Sequence, residues 1–381
     1  MCAFLSLQFF VLGETLDRVV TCQLFAPVRL RARAQLIRCI GMSQQPATMR
    51  AVQVSAYDGR PESISIVEMP VPRAGRGEVL IRVHASPMNP SDQLFIRGLY
   101  SFRKPLPAVP GFEGSGTVVE AGSGVLARFL KGRRVACSAA RADIAGGMWA
   151  EYVAVPATLC VPLRKTVGLD EAATMLINPL TAWALIDEAR RGNHTAIVQT
   201  AAASSVGQMI IRLSRRFSIP VINIVRRTQQ AELLRSIGAE HVLITGNPSF
   251  AEDLRRFCHD LGATIGFDAV AGEMSAVVLH AQPPGSRLIV YGVLSIAASQ
   301  VNPATLIFEG KHVEGFHLAE WLSQQNFLKQ LLLAHRIQAL LHADLKTGIQ
   351  ARLPLEDVVH GLQLYSTRMS GGKVLLMPSK D

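Results

Sequence analysis

One stretch, "TAAASSVG" at residues 200–207, has the residue types needed to hold a diphosphate. A diphosphate binds where backbone N–H groups at the start of a helix face it and no bulky side chain intervenes. The five residues after Thr200 are all Ala or Ser, which leaves room for a close approach. The stretch predicts either a phosphate-binding turn or a packing corner between a strand and a helix. If it is a binding turn, the residues expected at the phosphates are Ser204, Ser205, Val206 and Gly207.

Two adjacent arginines, Arg226 and Arg227, follow the next apolar segment, "VINIV" at 221–225. An NAD site would place Asp or Glu there to bind the ribose 2′-hydroxyl. Guanidinium groups suit a 2′-phosphate instead, so the pair favours NADPH over NADH. The alternative is that both arginines are solvated residues at the start of a helix.

These residues lie in a segment where strands and helices alternate. Helical spacing at 178–191 is followed by six short apolar segments that predict strands, separated by stretches with helical spacing. The predicted strands are 195–200, 221–225, 241–244, 265–270, 287–292 and 313–318. Such alternation predicts an α/β fold with a doubly wound parallel sheet. Before it, from Met49 to about Val167, short apolar runs between Gly and Pro turns predict a β-rich domain, and "GKVLLMP" near the end returns to that style.

Composition limits the function classes. The chain has 381 residues, 49% hydrophobic and 18% charged, which is typical of a globular protein with two domains. The net charge of +10 is spread along the chain, so we expect no nucleic-acid partner but a field that attracts phosphorylated small molecules. Six scattered cysteines without a C-x-x-C pair predict free thiols and no metal site.

The N-terminal segment differs from the rest. Residues 18–41 contain five arginines and no acid, as a mitochondrial presequence does, although Glu14 and Asp17 precede them. Residues 1–41 are therefore either a targeting segment or sequence upstream of a start at Met42 or Met49. The expected location is the cytoplasm, or the mitochondrial matrix if the presequence is genuine. The apolar run "FLSLQFFVLG" is too short to span a membrane, so no membrane association is expected.

The order of these segments resembles the medium-chain dehydrogenase/reductase superfamily. "PGFEGSGTVVEAGSGV" at 110–125 and "LPLEDVVHGLQLYSTRMSGGKVLL" at 353–376 are similar to two of its sequence signatures. The resemblance implies a GroES-like catalytic domain and a Rossmann domain that binds NADPH. The predicted limits are an extension at 1–41, the catalytic domain at 42–170 and 317–381, and the Rossmann domain at 171–316.

The resemblance also bears on metals. Zinc enzymes of the superfamily bind their catalytic metal through Cys, His and Cys, where this chain has Asn89, Phe112 and Asn178. The four-cysteine structural lobe is absent as well. We therefore expect no metal in the reaction.

Among the zinc-free branches, the chain is most similar to NADPH-dependent 2-enoyl thioester reductases and next to quinone oxidoreductases. "IRGLYSFRKPLPAVPGFEG" resembles the enoyl reductase segment that carries a tyrosine, here Tyr100. "INPLTAW" resembles an element near the nicotinamide, and "LIFEGKHVEGFHLAEWL" a stretch ending in an active-site tryptophan. The family's phosphate turn usually has a further glycine where this chain has Ser205.

The predicted site combines both lines of argument. The catalytic residues expected from the resemblance are Tyr100, Asn89 and Trp321. The further residues expected at the cofactor are Asn178, Thr181, Tyr291, Gly292, Phe316 and Lys373. Local alternatives are an aromatic plug for Tyr100, a simple turn for Asn89, helix capping for Asn178 and Thr181, and a surface lysine for Lys373.

The expected reaction is metal-free reduction of the carbon–carbon double bond of a 2-enoyl thioester. The first alternative is a quinone or activated-alkene reductase of the same branch. A second alternative is a protein that binds NADPH without turnover. Because the family often pairs subunits through the edge of the nucleotide-domain sheet, the resemblance also implies a homodimer.

Overall fold

A computed structural model of the protein describes residues 45–379, and the predicted extension at 1–41 lies outside them. The chain begins with a two-stranded antiparallel sheet, β1 against β2, and continues into a larger sheet. The first strands are β1 (Thr48–Val54), β2 (Ile64–Pro70), β3 (Glu78–Pro87), β4 (Glu113–Ala121), β5 (Arg134–Ser138), β6 (Tyr152–Pro156) and β7 (Cys160–Pro162). Three short helices accompany them, α1 (Pro90–Ile96), α2 (Val125–Leu130) and α3 (Leu169–Ala173).

The middle of the chain alternates between strand and helix. Its strands are β8 (Ile197–Gln199), β9 (Val221–Val225), β10 (His241–Ile244), β11 (Ile265–Asp268), β12 (Arg287–Val290) and β13 (His312–Gly315). Its helices are α4 (Asn178–Arg191), α5 (Ser205–Arg216), α6 (Thr228–Ser236), α7 (Phe250–Asp260), α8 (Glu273–Ala281), α9 (Pro303–Phe308), α10 (Leu318–Ser323) and α11 (Phe327–Leu340). Helix α4 begins and ends at the predicted residues, with Pro179 in its first turn and two arginines in its last.

These six strands form one sheet with the order β10-β9-β8-β11-β12-β13, in which every neighbouring pair is parallel. In terms of sequence the order is 3-2-1-4-5-6, the arrangement of a dinucleotide-binding sheet. The predicted doubly wound parallel sheet is thereby confirmed. The strand order reverses between β8 and β11, and ligands of such sheets bind at that point.

The last elements return to the first part of the chain. They are β14 (Ile349–Pro354), α12 (Val358–Thr367) and β15 (Lys373–Met377). Strand β15 lies between β14 and β3 in a seven-stranded sheet of order β14-β15-β3-β4-β5-β7, with β6 paired to β3. Single turns of 3₁₀-helix occur at Pro61–Ser63, Ala157–Leu159, Leu355–Asp357 and Met369–Gly371.

The sequence does not predict helices α9, α10 and α11. Trp321 of α10 and Ile337 of α11 pack in one apolar cluster with Ile197 and Phe267 of the parallel sheet. The positions of these helices do not define a domain boundary. The domain limits at 170/171 and 316/317 therefore stay predictions. No helix within residues 45–379 combines the length and apolar character needed to cross a membrane.

Candidate active site

The turn between β8 and α5 lies at the reversal point of the parallel sheet. Ser204 is the N-cap of α5, and its hydroxyl accepts a hydrogen bond of 3.2 Å from the amide of Gly207. A Cβ on Gly207 would lie 2.4 Å from the carbonyl oxygen of Ala202, so only glycine allows the helix to sit this close to the turn. Ala201 has a φ of 45°, the left-handed region that glycine adopts more readily. The turn therefore holds one alanine in a conformation typical of glycine, and it has a single glycine, Gly207, where the helix lies close to it.

A polar contact missed by the sequence analysis joins the two strands at this point. The hydroxyl of Thr200 donates a hydrogen bond of 2.6 Å to Asp268, which is fully buried at the end of β11. Asp268 also accepts bonds from the amide of Val270 and the hydroxyl of Ser275. The charge on Asp268 is thus held by donors around the reversal point. An acid ending a buried strand is the sequence signal that would have identified it.

Arg226 and Arg227 follow β9, and both are exposed. Arg227 is the N-cap of α6, while the backbone amide of Arg226 donates to Gln230. Among residues 45–379, no hydrogen bond or ion pair engages either guanidinium. The pair is therefore available to an anionic ligand beside the turn.

Tyr291 follows β12 and reaches the same turn. Its hydroxyl is shielded from solvent and interacts with the side chain of Ser204. Burial raises the pKa of Tyr291 strongly, and the nearby charge of Asp268 raises it further. The structure thus brings together Tyr291 and Ser204, which the sequence analysis assigned to one site.

Gly292, another residue predicted at the cofactor, lies where two segments of the protein cross closely. A Cβ there would lie 2.8 Å from the carbonyl oxygen of Ala269, so glycine is required at this position. Its role at the cofactor stays a prediction.

Asn178 and Thr181 lie in the first turn of α4, and both are buried. The N-cap position is Ile177, and no side chain caps this helix. Helix capping, the alternative explanation for the two polar residues, is therefore wrong.

A buried polar network connects the start of α4 to the β-rich part. The carboxylate of Glu113 accepts hydrogen bonds from the amides of Leu176 and Ile177, at 2.9 and 3.0 Å. Its other oxygen accepts a bond of 3.0 Å from the side-chain nitrogen of Asn89. The side-chain oxygen of Asn89 in turn accepts a bond from the amine of Lys373. Glu113 therefore fixes Asn89 relative to the segment that leads into α4.

Lys373 is 1% exposed, so the surface alternative is wrong for this lysine. Its amine also lies 3.3 Å from the carbonyl oxygen of Met88 and 3.2 Å from the hydroxyl of Tyr365. The structure places Lys373 beside Asn89. Its assignment to the cofactor stays a prediction, and its contacts favour a role in positioning Asn89.

Asp92 completes this network. Its carboxylate accepts bonds from the amides of Asn89 and Phe112, at 2.9 and 3.0 Å. Burial raises the pKa of Asp92 to about 7, although both amides act against this. Burial likewise raises the pKa of Glu113 to about 7, against the lowering influence of Lys373 and Asn89. Two carboxyl groups that can be protonated near neutral pH, those of Asp92 and Glu113, thus bond to Asn89.

Tyr100 packs among aromatic rings. Its ring centre lies 4.8 Å from that of Phe112 and 5.1 Å from that of Phe102. Burial raises the pKa of Tyr100, and the charge of Asp92 raises it further. The phenol therefore keeps its proton at neutral pH. The aromatic plug and the proton donor are compatible, because the ring makes the packing contacts and the hydroxyl keeps its proton.

Trp321 lies on α10, which packs against α4. The residue is buried, and its indole nitrogen has no hydrogen-bond partner within residues 45–379. Phe316, Tyr291 and Val206 pack against or within the same apolar cluster. The structure therefore brings Trp321 to predicted cofactor residues, while Tyr100 and Asn89 lie in the β-rich part. These catalytic and cofactor roles stay predictions.

Two protein families match parts of the chain. Residues 75–165 match the family described as alcohol dehydrogenase GroES-like domain, and residues 205–333 match the family described as zinc-binding dehydrogenase. Within residues 45–379, no cluster of His, Cys, Asp and Glu side chains is arranged to hold a metal ion. The second match therefore concerns the fold rather than a zinc site in the described part.

Relatives match over most of their length. The chain is 32% identical over 306 residues to the mitochondrial enoyl-[acyl-carrier-protein] reductase of Caenorhabditis elegans, covering 78% of this chain and 84% of that protein. A solved structure from Mesorhizobium loti, proposed to be an NADPH:quinone reductase, has a TM-score of 0.82 and 34% identity, covering 88% of this chain and all of the other. A mycobacterial protein solved in complex with NADPH has a TM-score of 0.74 and 26% identity, covering 87% of this chain and all of the other.

Proposed function

This chain belongs to the medium-chain dehydrogenase/reductase superfamily, in its zinc-free branch, and from that membership we propose that it reduces the carbon–carbon double bond of 2-enoyl thioesters with NADPH. The C. elegans relative is named for reduction of enoyl groups on acyl carrier protein. The proposed substrate class is therefore a 2-enoyl group on a thioester carrier.

The residues around the β8 turn fit NADPH. The turn that leads into α5 has only Ala and Ser at residues 201–205, and the start of the helix offers backbone amides, a combination that suits a diphosphate. The guanidiniums of Arg226 and Arg227 suit the additional 2′-phosphate. Tyr291 contributes a shielded hydroxyl beside Ser204, at the turn where a polar ligand would bind. NADPH, when bound, supplies the hydride that adds to the β-carbon of the enoyl group.

Tyr100 has the chemical state that the rest of the reaction needs. Negative charge builds up on the thioester oxygen, and the α-carbon must take up a proton. A positioned hydrogen-bond donor stabilises such charge in the transition state by about 3 kcal/mol. The Tyr100 phenol is protonated at neutral pH, and burial raises its pKa further above the ordinary value, so its hydroxyl can donate to that oxygen. The observation that carries the enoyl assignment is the 32% identity to the C. elegans enoyl reductase, over 84% of that protein.

The proposed role of Asn89, Glu113 and Lys373 is to position groups of the site. Both polar atoms of the Asn89 side chain already bond to protein groups, so its contacts favour positioning over proton transfer. Glu113 bonds both to Asn89 and to the segment that leads into α4, and so fixes one relative to the other. The proposed role of Asn178 and Thr181, in the first turn of α4, is contact with the nicotinamide.

Reduction of quinones or activated alkenes is the second candidate, and the M. loti neighbour favours it. Direct hydride transfer to a quinone does not depend on an acid side chain. Binding of NADPH without turnover is the remaining alternative.

A panel of acceptors tests the proposal. NADPH oxidation is measured with crotonyl-CoA, with longer 2-enoyl-CoAs, with the same acyl groups on acyl carrier protein, and with quinones. Turnover of the enoyl thioesters at kcat/KM well above that of the quinones is expected. Turnover of quinones alone would select the second candidate, and NADPH binding without oxidation of any acceptor the third.

Location and assembly complete the proposal. We propose a cytoplasmic protein, or a mitochondrial matrix protein if residues 1–41 act as a presequence, and mass spectrometry of the native N-terminus distinguishes the two. We also propose a homodimer. The supporting observation is that β13, at the edge of the parallel sheet, is exposed along its length, and exposed Ile307 and Phe308 precede it.

A further inference from the structure

Cys137 and Cys160 face each other across two strands of the seven-stranded sheet. Cys137 lies on β5 and Cys160 on β7, and the two residues are direct partners in the antiparallel register. Both are free and buried. Neither takes part in the site described above.

The register gives the pair a geometry that a disulfide requires. The amide of Leu163 donates to the carbonyl oxygen of Arg134, so these opposite residues form a hydrogen-bonded pair. Hydrogen-bonded and non-hydrogen-bonded pairs alternate along antiparallel strands. Counting three steps along the register makes Cys137 and Cys160 a non-hydrogen-bonded pair. In such pairs the Cα atoms are about 4.5 Å apart, within the range of about 4.4–6.8 Å spanned by disulfides.

The thiols also interact. The pKa of Cys137 is raised well above its ordinary value, first by its contact with the Cys160 thiol and then by burial. The sulfur of Cys137 also lies 3.4 Å from that of Met148. Cys258 lies on α7 in another apolar cluster and has no cysteine opposite it within residues 45–379.

We propose that Cys137 and Cys160 are a redox-active dithiol that closes to a cross-strand disulfide when the protein meets a peroxide. Cys160 is the more accessible residue of the two, at 8% exposed against 0%, and its thiol reacts first. Its sulfur attacks one peroxide oxygen, which breaks the O–O bond and gives a sulfenic acid and one water. The sulfur of Cys137 then displaces the hydroxyl from Cys160 as a second water. In total, two thiols lose two electrons and two protons, and one hydrogen peroxide becomes two waters.

The disulfide would close the segment between β5 and β7. That segment contains Ala139 and Gly146, whose carbonyl oxygens accept bonds from the amine of Lys104. It also contains Met148, whose amide donates to Gly111. Closing this loop restricts the unfolded chain and stabilises the folded one. Oxidation is therefore expected to stabilise the β-rich part and to leave its fold unchanged.

Peptide mapping tests the proposal on the full chain. Because Cys2, Cys22 and Cys39 lie outside the described residues, all three are replaced by serine. The folded protein is treated with hydrogen peroxide, free thiols are blocked after denaturation, and the digest is analysed without reduction. A peptide pair joined through Cys137 and Cys160 is expected, reversed by dithiothreitol, with Cys258 recovered as a thiol. Both cysteines recovered as blocked thiols, either one joined to Cys258, or sulfinic acid without the linked pair would overturn the proposal.

Thermal unfolding of matched variants gives a second readout. Peroxide is expected to raise the unfolding temperature of the parent and of Cys258→Ser by at least about 3 °C. Cys160→Ser is expected to show no rise, because Cys137 has no partner. The difference between oxidised and reduced samples is informative even if a variant is less stable. An equal rise in Cys160→Ser would contradict the assignment.

Discussion

At the scale of single residues, the proposed chemistry depends on which groups carry charge. Burial and the charge of Asp92 both oppose ionisation of Tyr100, whose phenol is protonated at neutral pH. Arg226 and Arg227 are exposed, and neither guanidinium has a protein partner among residues 45–379. The proposed reduction by NADPH needs a hydrogen-bond donor at the substrate and cationic groups at the 2′-phosphate.

Replacing Tyr100 tests the donor directly. Tyr100→Phe keeps the ring that packs on Phe112 and removes only the hydroxyl. We expect kcat with 2-enoyl thioesters to fall at least about tenfold, a loss of about 1.4 kcal/mol in transition-state stabilisation. The KM for NADPH should stay unchanged in steady-state assays. Tyr152→Phe, on strand β6, is the control, and an equal fall in both variants would argue against a specific role.

Replacing the arginines tests cofactor choice. Removing a hydrogen bond to a charged group costs about 1.5–3 kcal/mol. We therefore expect Arg226→Ala or Arg227→Ala to weaken NADPH binding by about 10- to 100-fold while NADH binding changes little. Arg235→Ala is the control, because Arg235 is exposed on α6, the helix that follows the two arginines. Fluorescence titration with both nucleotides measures this, and equal losses for NADPH and NADH would contradict a 2′-phosphate contact.

At the scale of structural elements, the turn between β8 and α5 combines an alanine in the left-handed region with a single glycine. Ala201 takes the left-handed conformation, and Gly207 removes the one side chain that would strike the turn. The strain at Ala201 is held by its surroundings, which include the hydrogen bond between Thr200 and Asp268.

The same substitution at two positions of this turn should have opposite effects. Ala201→Gly relieves the left-handed strain and is expected to raise the free energy of unfolding by up to about 1 kcal/mol. Ala203→Gly, at a buried position with an ordinary φ, should lower it by about 1 kcal/mol. Urea unfolding compares them. A loss of stability in Ala201→Gly as large as that in Ala203→Gly would show that the turn is not strained there.

Glu113 joins strand β4 to the segment before α4. Its titration should make the free energy of unfolding depend on pH. Burial raises the pKa of Glu113 from 4.5 to about 7. A carboxyl with a raised pKa binds its proton more tightly in the folded state, so its contribution is complete below its unfolded pKa and is lost as the pH rises through its folded pKa. Asp92 acts in the same direction.

We therefore expect the free energy of unfolding to fall by a few kcal/mol between about pH 5 and about pH 8. Glu113→Gln should make this fall smaller, whatever its stability at one pH. Glu120→Gln, on the same strand and paired with Arg73 at the surface, should keep the original slope. Urea unfolding at several pH values measures the slopes, and identical slopes in all three proteins would rule out titration of Glu113 in this range.

At the scale of the whole molecule, the sequence predicts the alternation, the parallel sheet and the family, because hydrophobic periodicity and turn residues are local signals. Strands 221–225 and 241–244 are predicted to the residue. It does not predict helices α9 to α11, nor that Lys373 is buried beside Asn89. That contact joins residues 284 positions apart, and no local pattern encodes it. The contact between Glu113 and the segment that enters α4 likewise joins residues 63 positions apart.

Assembly is tested at the same scale. If two copies pair through the edge of the parallel sheet, exposed Phe308 becomes buried between them. Phe308→Glu is then expected to convert a dimer into a monomer, measured by light scattering after size-exclusion chromatography. Val125→Glu, at an exposed apolar position in the β-rich part, should remain dimeric. A monomeric unmodified protein, or dissociation by both changes, would contradict this interface.

The position of β15 has a consequence for synthesis on the ribosome. The parallel sheet is built from one uninterrupted stretch, 197–315, so it can assemble while translation continues. The seven-stranded sheet needs β15 between β14 and β3, and those residues emerge after all its other strands. Lys373 begins that strand, so the amine behind Asn89 is also delivered late. A nascent chain could therefore hold its nucleotide before it is able to carry out catalysis.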